Sequence, residues 1–208
     1  MLLCSFWREI MGERLIYLVR HGETEKGSEK KYFIGQSDVD LSPLGLKQAK
    51  KLAQRFKDIP LSHIYCSNLK RTIKIAEAIG AIHGMKPICS EGFAEINMGV
   101  WDGCSFEEIK SRYPLEYEER GKNISHYRVP GGESFFDFSK RVTQKFYEVL
   151  DYTDGNLLIV AHAGVNRAIL CDILEIPLKN MFKISQDYGC VNILSYNGKT
   201  FKIKRING

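Results

Sequence analysis

Two stretches of the chain lack a polar face. Leu15 to Val19 (LIYLV) and Leu157 to Ala161 (LLIVA) are short apolar runs, the pattern of strands buried on both sides in a parallel sheet covered by helices. Both end alike: the first runs into Arg20, His21 and Gly22, the second into His162, Ala163 and Gly164. In open sheets of this class ligands bind beyond the carboxyl ends of the strands, so both histidines are expected at one functional edge.

Between these runs the pattern alternates between helical and extended periods. Ser42 followed by Pro43 signals a helix start, with Leu44, Ala49, Leu52, Ala53 and Phe56 on one face and an end near Asp58. Ile64 to Cys66 reads as a strand, and Ser67 or Asn68 as the cap of a helix burying Ile75, Ile79 and Ile82. Arg71 then falls in a first helical turn, where a cation opposes the helix dipole unless an anion binds nearby. Residues 86–101 are irregular, with a short strand at 87–90, and a helix is predicted from Ser105 to Arg112. The piece from there to Pro130 has no clear period, and residues 104–129 read as a variable excursion over the site. PGGES at 130–134 opens the best-patterned helix, with Phe135, Phe138, Val142, Phe146 and Val149 on one face. A helix from Val165 to Leu174 follows the second apolar run, and the tail reads as a hairpin about Asn197-Gly198 with a type I′ turn.

The fold expected is therefore α/β: a single domain with a mostly parallel central sheet flanked by helices on both faces, over residues 15–208. Residues 1–14 read as an N-terminal extension in which Met11 is a second candidate start, too short in its apolar part for a signal peptide core. The formal charge of +5 over 208 residues is mild and spread along the chain, favouring small anionic ligands over nucleic acid. No apolar run is long enough to span a membrane, and six cysteines without metal-ligand spacing suggest reduced thiols in a cytoplasmic protein.

Arg20, His21, Arg71 and His162 at one sheet edge form a cationic pocket whose natural guest is a tetrahedral phosphoryl group. The planar fork of arginine donates paired hydrogen bonds to such oxygens. His63 and His83 read as ordinary loop or helix-end residues, His126 as exposed on the excursion, and Trp101 as packing near a turn bounded by Gly99 and Gly103.

With these pieces in place, the sequence resembles the histidine phosphatase superfamily, also called the phosphoglycerate mutase-like family. The resemblance is carried by RHGETE at 20–25, GQSDVDLSPLG at 35–45, SNLKRT at 67–72, FAEINMGVWDG at 93–103, PGGES at 130–134 and AHAGVNR at 161–167, in the family's order. It implies that His21 is the nucleophile that becomes a phosphohistidine, that Arg20, Arg71 and His162 grip the phosphoryl oxygens, and that Glu95 is the general acid and then the base. It implies no metal and no cofactor, since the arginines supply the positive charge. Glu23, as an arginine's partner, and Glu133, as a first-turn helix acid, are the competing carboxylates. His21 is expected neutral and His162 charged when a dianion is bound. Where many members carry an asparagine after RHGE, this chain has Lys26-Gly27-Ser28 in a loop that looks one residue longer, leaving Lys26 or Ser28 as substitutes.

The resemblance implies a phosphatase acting on small phosphorylated metabolites. Residues 156–174 and 186–194 look like those of α-ribazole phosphatases of cobalamin synthesis, which makes α-ribazole 5′-phosphate the named candidate substrate. A phosphoglycerate mutase is the alternative, disfavoured by the absence of an Arg-Arg pair among Arg112, Arg120, Lys122 and Arg128; a non-catalytic phospholigand-binding module is the remote one. The sequence does not fix the oligomeric state.

Overall fold

The computed structural model describes residues 13–26 and 29–208. The expectations about the N-terminal extension and about Gly27 and Ser28 therefore fall outside, or largely outside, the described residues.

Among the described residues six strands form one sheet: β1 (Arg14–Arg20), β2 (His63–Cys66), β3 (Ile88–Cys89), β4 (Leu157–Ala161), β5 (Val191–Tyr196) and β6 (Phe201–Arg205), in the order β3-β2-β4-β1-β5-β6. The first four are parallel, and β5 and β6 add an antiparallel edge. Among the described residues six α-helices accompany them: α1 (Pro43–Phe56), α2 (Lys70–His83), α3 (Phe106–Arg112), α4 (Pro114–Lys122), α5 (Phe135–Tyr152) and α6 (Ala163–Ile173).

The two apolar runs are neighbours, and their period of two sorts the core. Ile16, Leu18, Leu157 and Ile159 pack with α5 and α6 on one face. Tyr17, Val19, Leu158 and Val160 pack with α1 and α2 on the other. Both faces of these strands are thus apolar because both are covered by helices. The long helix α5 buries the five residues expected of it.

Several boundaries differ for identifiable reasons. Leu44 is exposed because the buried stripe of α1 runs through Gly45, Ala49, Leu52, Ala53 and Phe56, with Leu44 beside it in the first turn. Ile82 is exposed because the stripe of α2 centres on Ile75, Ala76 and Ile79. The N-cap position of α2 is Leu69, since the Ser67 hydroxyl is engaged elsewhere. The patternless piece before Pro130 contains α4, a helix with no fully buried residue and hence no periodic apolar signal. At the hairpin, Asn197 has no positive φ, and its side chain accepts from the amides of Lys199 and Thr200. The connection is therefore an Asn-capped loop over 197–200 instead of a type I′ turn, which needs positive φ at both central residues.

Among the described residues no helix is long and apolar enough to cross a membrane.

Candidate active site

The register of β1 against β4 pairs Arg20 with Ala161, and the amide of His21 donates to the Ala161 carbonyl (3.0 Å). The next residue on each strand is therefore a histidine. The rings of His21 and His162 meet edge to face with centroids 5.2 Å apart, both buried.

His21 Nδ1 lies 2.7 Å from the Gly22 carbonyl oxygen. A carbonyl can only accept, so Nδ1 carries the proton and Nε2 keeps its lone pair, the arrangement a nitrogen nucleophile needs. Gly22 is required here by crowding from the protein itself: an added Cβ would lie 2.9 Å from Gln48 Oε1 and from the Gly45 carbonyl oxygen.

His162 is held at its other nitrogen. Its Nε2 lies 2.8 Å from Ser67 Oγ, which also bonds Thr72, while Nδ1 is buried with no hydrogen-bond partner among the described residues. The Nε of Arg20, the Nε of Arg71 and the hydroxyl of Thr24 are likewise buried and unpartnered. Buried polar groups are normally satisfied, and two arginine Nε–H donors left over beside His162 Nδ1 mark a place for an anion. Thr24 carries no strong sequence signal of its own and was not singled out by the sequence.

The two arginines are positioned by backbone carbonyls. Arg20 donates to the carbonyl of Gln186 and lies under the ring of Tyr188, 3.8 Å from its centroid. Gln186 is fixed in turn by buried Asn166 and Asn192. Arg71, fully buried, donates through its two terminal nitrogens to the carbonyls of Ser37 and Gly35, both at 2.7 Å, so Nε–H and the second N–H of each terminal nitrogen are uncommitted. The same loop is pinned by Asp102, whose carboxylate accepts the amides of Gly35, Gln36 and Ser37, each at 2.9 Å. Burial pulls the Arg71 guanidinium below its ordinary value, and the carboxylates of Glu95, Asp102 and Asp38 oppose that.

Glu95 enters the site from the irregular segment before Trp101. Its Oε1 accepts from the Ile96 amide (2.9 Å) and its Oε2 from the Gly164 amide (3.0 Å), two residues beyond His162. Arg141 holds the strand of backbone that carries it, donating to the carbonyls of Gly92 and Ala94. Glu133 is Arg141's bidentate partner at 2.9 Å for both contacts. It is therefore not a first-turn helix acid; that position belongs to Asp137 in a capping box with Ser134. The Glu23 carboxylate accepts from the Ser42 hydroxyl, the cap of α1.

The contact between Glu95 and Gly164 is close enough to test. An added Cβ at Gly164 would lie 2.2 Å from Glu95 Oε1, so the carboxyl must move in a Gly164→Ala variant. Displacement of a catalytic group by about 1 Å costs about 100-fold, so with Glu95 in the acid role that the resemblance implies, turnover of alkyl phosphates is expected to fall by that order. Steady-state rates with an alkyl and an aryl phosphate check this; equal, small losses on both would contradict it.

Burial, followed by the charges of Arg71 and Arg20, pushes His21 well below the ordinary histidine value, with the Gly22 carbonyl opposing. His162 is pushed the same way by burial, Arg71, His21 and Arg20. In the free protein both rings sit in the same desolvated, cationic surroundings, which disfavour the charged form of each. The unfolded chain binds more protons than the folded one below about pH 6.5, so unfolding free energy must fall as pH drops through that value. The loss reaches about 1.4 kcal/mol per pH unit per histidine, and no such contribution varies above pH 7. Urea unfolding between pH 5 and 8 should show this slope, reduced in a His162→Gln variant; an unchanged slope would contradict it.

The remaining histidines are apart from the site. His63 lies on β2, 3.3 Å from Asp154, His83 contacts the Phe56 carbonyl at the end of α2, and His126 is exposed beside Phe136. Trp101 is buried against Phe33 and Tyr127, with Gly99 and Gly103 at positive φ on either side. Lys26 places its ammonium over the ring of Tyr32, 4.9 Å from the centroid.

A cavity of about 570 Å³ opens over His21 and Glu95, within the size range of small-molecule sites. Its further walls come from residues 30–34, from Phe106, Arg120 and Ile124 on the excursion, and from Phe135, Arg167, Phe182 and Tyr188. Among the described residues no group of three or more His, Cys, Asp or Glu side chains is placed to hold a metal ion.

The family model of the histidine phosphatase superfamily (branch 1) matches residues 16–208. The chain belongs to the histidine phosphatase superfamily. The chain is 30% identical over 193 residues to phosphoserine phosphatase 1 of Hydrogenobacter thermophilus, covering 92% of this chain and 91% of the relative. It is 34% identical over 190 residues to human 6-phosphofructo-2-kinase/fructose-2,6-bisphosphatase 4, covering 85% of this chain but 39% of that larger protein. The α-ribazole phosphatase of Shigella flexneri shares the fold, with a TM-score of 0.86 at 24% identity over 93% of this chain and 96% of that one.

Proposed function

We propose that this superfamily member hydrolyses small phosphate monoesters through a phosphohistidine on His21. The observation that carries the reading is the free Nε2 lone pair of His21 at the cavity, with Nδ1 committed to the Gly22 carbonyl, beside buried, unpartnered nitrogens of Arg20, Arg71 and His162. In the first step Nε2 bonds to phosphorus and the phosphorus–oxygen bond to the leaving group breaks, with Glu95 giving its proton to the departing alkoxide. In the second, Glu95 takes a proton from water, the water oxygen bonds to phosphorus, and the phosphorus–nitrogen bond breaks to release phosphate. Arg20, Arg71 and His162 are assigned to the equatorial oxygens, where preorganised donors lower the barrier most.

The same chemistry without net hydrolysis would be a mutase. α-Ribazole 5′-phosphate remains one candidate substrate, on the likeness of residues 156–174 and 186–194 and on the shared fold. A panel of phosphate esters, with and without 2,3-bisphosphoglycerate, tests the reading by release of inorganic phosphate. Release from several esters at some pH between 5 and 8 is expected. No release from any, or isomerisation of phosphoglycerate without net phosphate, would overturn it.

A further inference from the structure

The six cysteines stand far apart in the sequence, and the fold brings two of them into contact. Cys66 ends β2, Cys89 ends the neighbouring strand β3, and the parallel register sets them directly opposite each other. Their sulfurs lie 3.6 Å apart, one thiol hydrogen-bonded to the other. Cys66 is fully buried, whereas Cys89 is exposed to solvent. Of the other described cysteines, Cys171 and Cys190 are buried and Cys104 is half-buried.

The backbone already has the spacing that a bridge needs. A disulfide joins Cα atoms about 4.4 to 6.8 Å apart, and neighbouring strands lie about 4.8 Å apart. From 3.6 Å the sulfurs must close by about 1.6 Å to reach the bond length of about 2.0 Å. That movement falls to β3, a two-residue strand at the sheet edge with both residues exposed, because Cys66 is packed in the core with Ile64, Ile75 and Val160.

We infer that Cys66 and Cys89 form a redox modification site, at which a peroxide converts the two thiols to an intrachain disulfide that a dithiol reverses. The two cysteines play different parts. Burial, and then the neighbouring Cys89 and Glu77, push the Cys66 thiol up, so Cys66 stays protonated and the first attack belongs to exposed Cys89. The Cys89 thiolate sulfur bonds to one peroxide oxygen, the oxygen–oxygen bond breaks, and the other oxygen leaves as water with the proton that Cys89 gave up. The Cys66 sulfur then bonds to the Cys89 sulfur, the sulfur–oxygen bond breaks, and the hydroxyl leaves as water with the Cys66 proton. Two thiols are oxidised to one disulfide while hydrogen peroxide is reduced to two waters. The bridge closes a loop over residues 66–89 that carries all of α2 and, with it, Arg71.

Disulfide mapping of the full chain tests it. The reduced protein is exposed to equimolar hydrogen peroxide, its free thiols are alkylated, and it is digested without reductant by trypsin and a glutamyl endopeptidase, which separates Cys89 from Cys104 at Glu91 and Glu95. Mass spectrometry should find the peptides of Cys66 and Cys89 joined as the major disulfide, two hydrogens lighter than their sum, and dithiothreitol should release them. In Cys89→Ser, an exposed position, Cys66 should be recovered as a free thiol after the same treatment. In Cys66→Ala the oxidised Cys89 has no partner, and dimedone should trap it as the sulfenic acid. If Cys66→Ala does not fold, the wild-type protein and Cys89→Ser decide alone. Recovery of both thiols unoxidised from the wild-type protein, Cys89 joined to another cysteine or to a second copy, or Cys66 oxidised as readily in Cys89→Ser would overturn the site.

Discussion

Replacing His21 by Ala is expected to lower kcat by about 10⁴-fold or more for every phosphate ester, aryl esters included. The size follows from the place of His21 in the proposed cycle: it supplies the bond that holds the phosphoryl group between the two half-reactions, and removal of a nucleophile from a covalent mechanism costs about this much even where the binding groups remain. The cations of Arg20 and Arg71 stay behind, so phosphate binding is expected to persist. Phosphate-release assays with titration of inorganic phosphate separate the two effects. The site also gives a reason to expect little compensation: His162, the nearest imidazole, is held by its Nε2 against Ser67. A His21→Ala variant that retains more than about a hundredth of wild-type kcat would place the nucleophile elsewhere.

Glu95→Gln is expected to produce a loss that depends on the leaving group. A positioned acid contributes about 10²- to 10⁴-fold when the departing alkoxide needs its proton, and far less when the leaving group is a phenolate that departs readily unprotonated. Alkyl phosphates should therefore slow by that factor and an aryl phosphate by about 10-fold or less. The amide carries the same shape, and its one oxygen can keep one of the two bonds, from Ile96 or from Gly164. Comparing kcat/KM for a series of esters of graded leaving-group pKa reads this directly. A uniform loss across the series would remove Glu95 as the acid, and Glu133, bound to Arg141 on both oxygens, offers no ready substitute.

What could be read from the sequence divides along a physical line. The runs at Leu15–Val19 and Leu157–Ala161 were legible because they are buried on both faces, and the residues that end them had to lie at one edge if the strands were parallel neighbours. Arg71 was legible as an oddity of charge in a first helical turn. Glu95 has no periodic context, standing between two single-turn 3-10 helices, and only the motif around it pointed there. The groups that position the site were beyond local reading. Asp102 reaches residues 35–37, Arg141 reaches residues 91–95, and Gln186 meets Arg20, all contacts between distant parts of the chain. Arg120 sits on α4, a helix whose lack of a buried face hid both the helix and the pocket-lining role of its arginine. The downward pKa shift common to the two histidines depends on burial and on Arg71, which no stretch of sequence near His162 reveals.

The central claim is a phosphorus–nitrogen bond on His21. Rapid-quench mixing with an ester carrying a radioactive phosphoryl group, followed by peptide mapping, tests it most directly. The protein should acquire a label that is stable to base, lost in acid, and located on His21, appearing and decaying at rates that match turnover. Label on another residue, or steady-state release of phosphate with no protein-bound label on the turnover timescale, would contradict it.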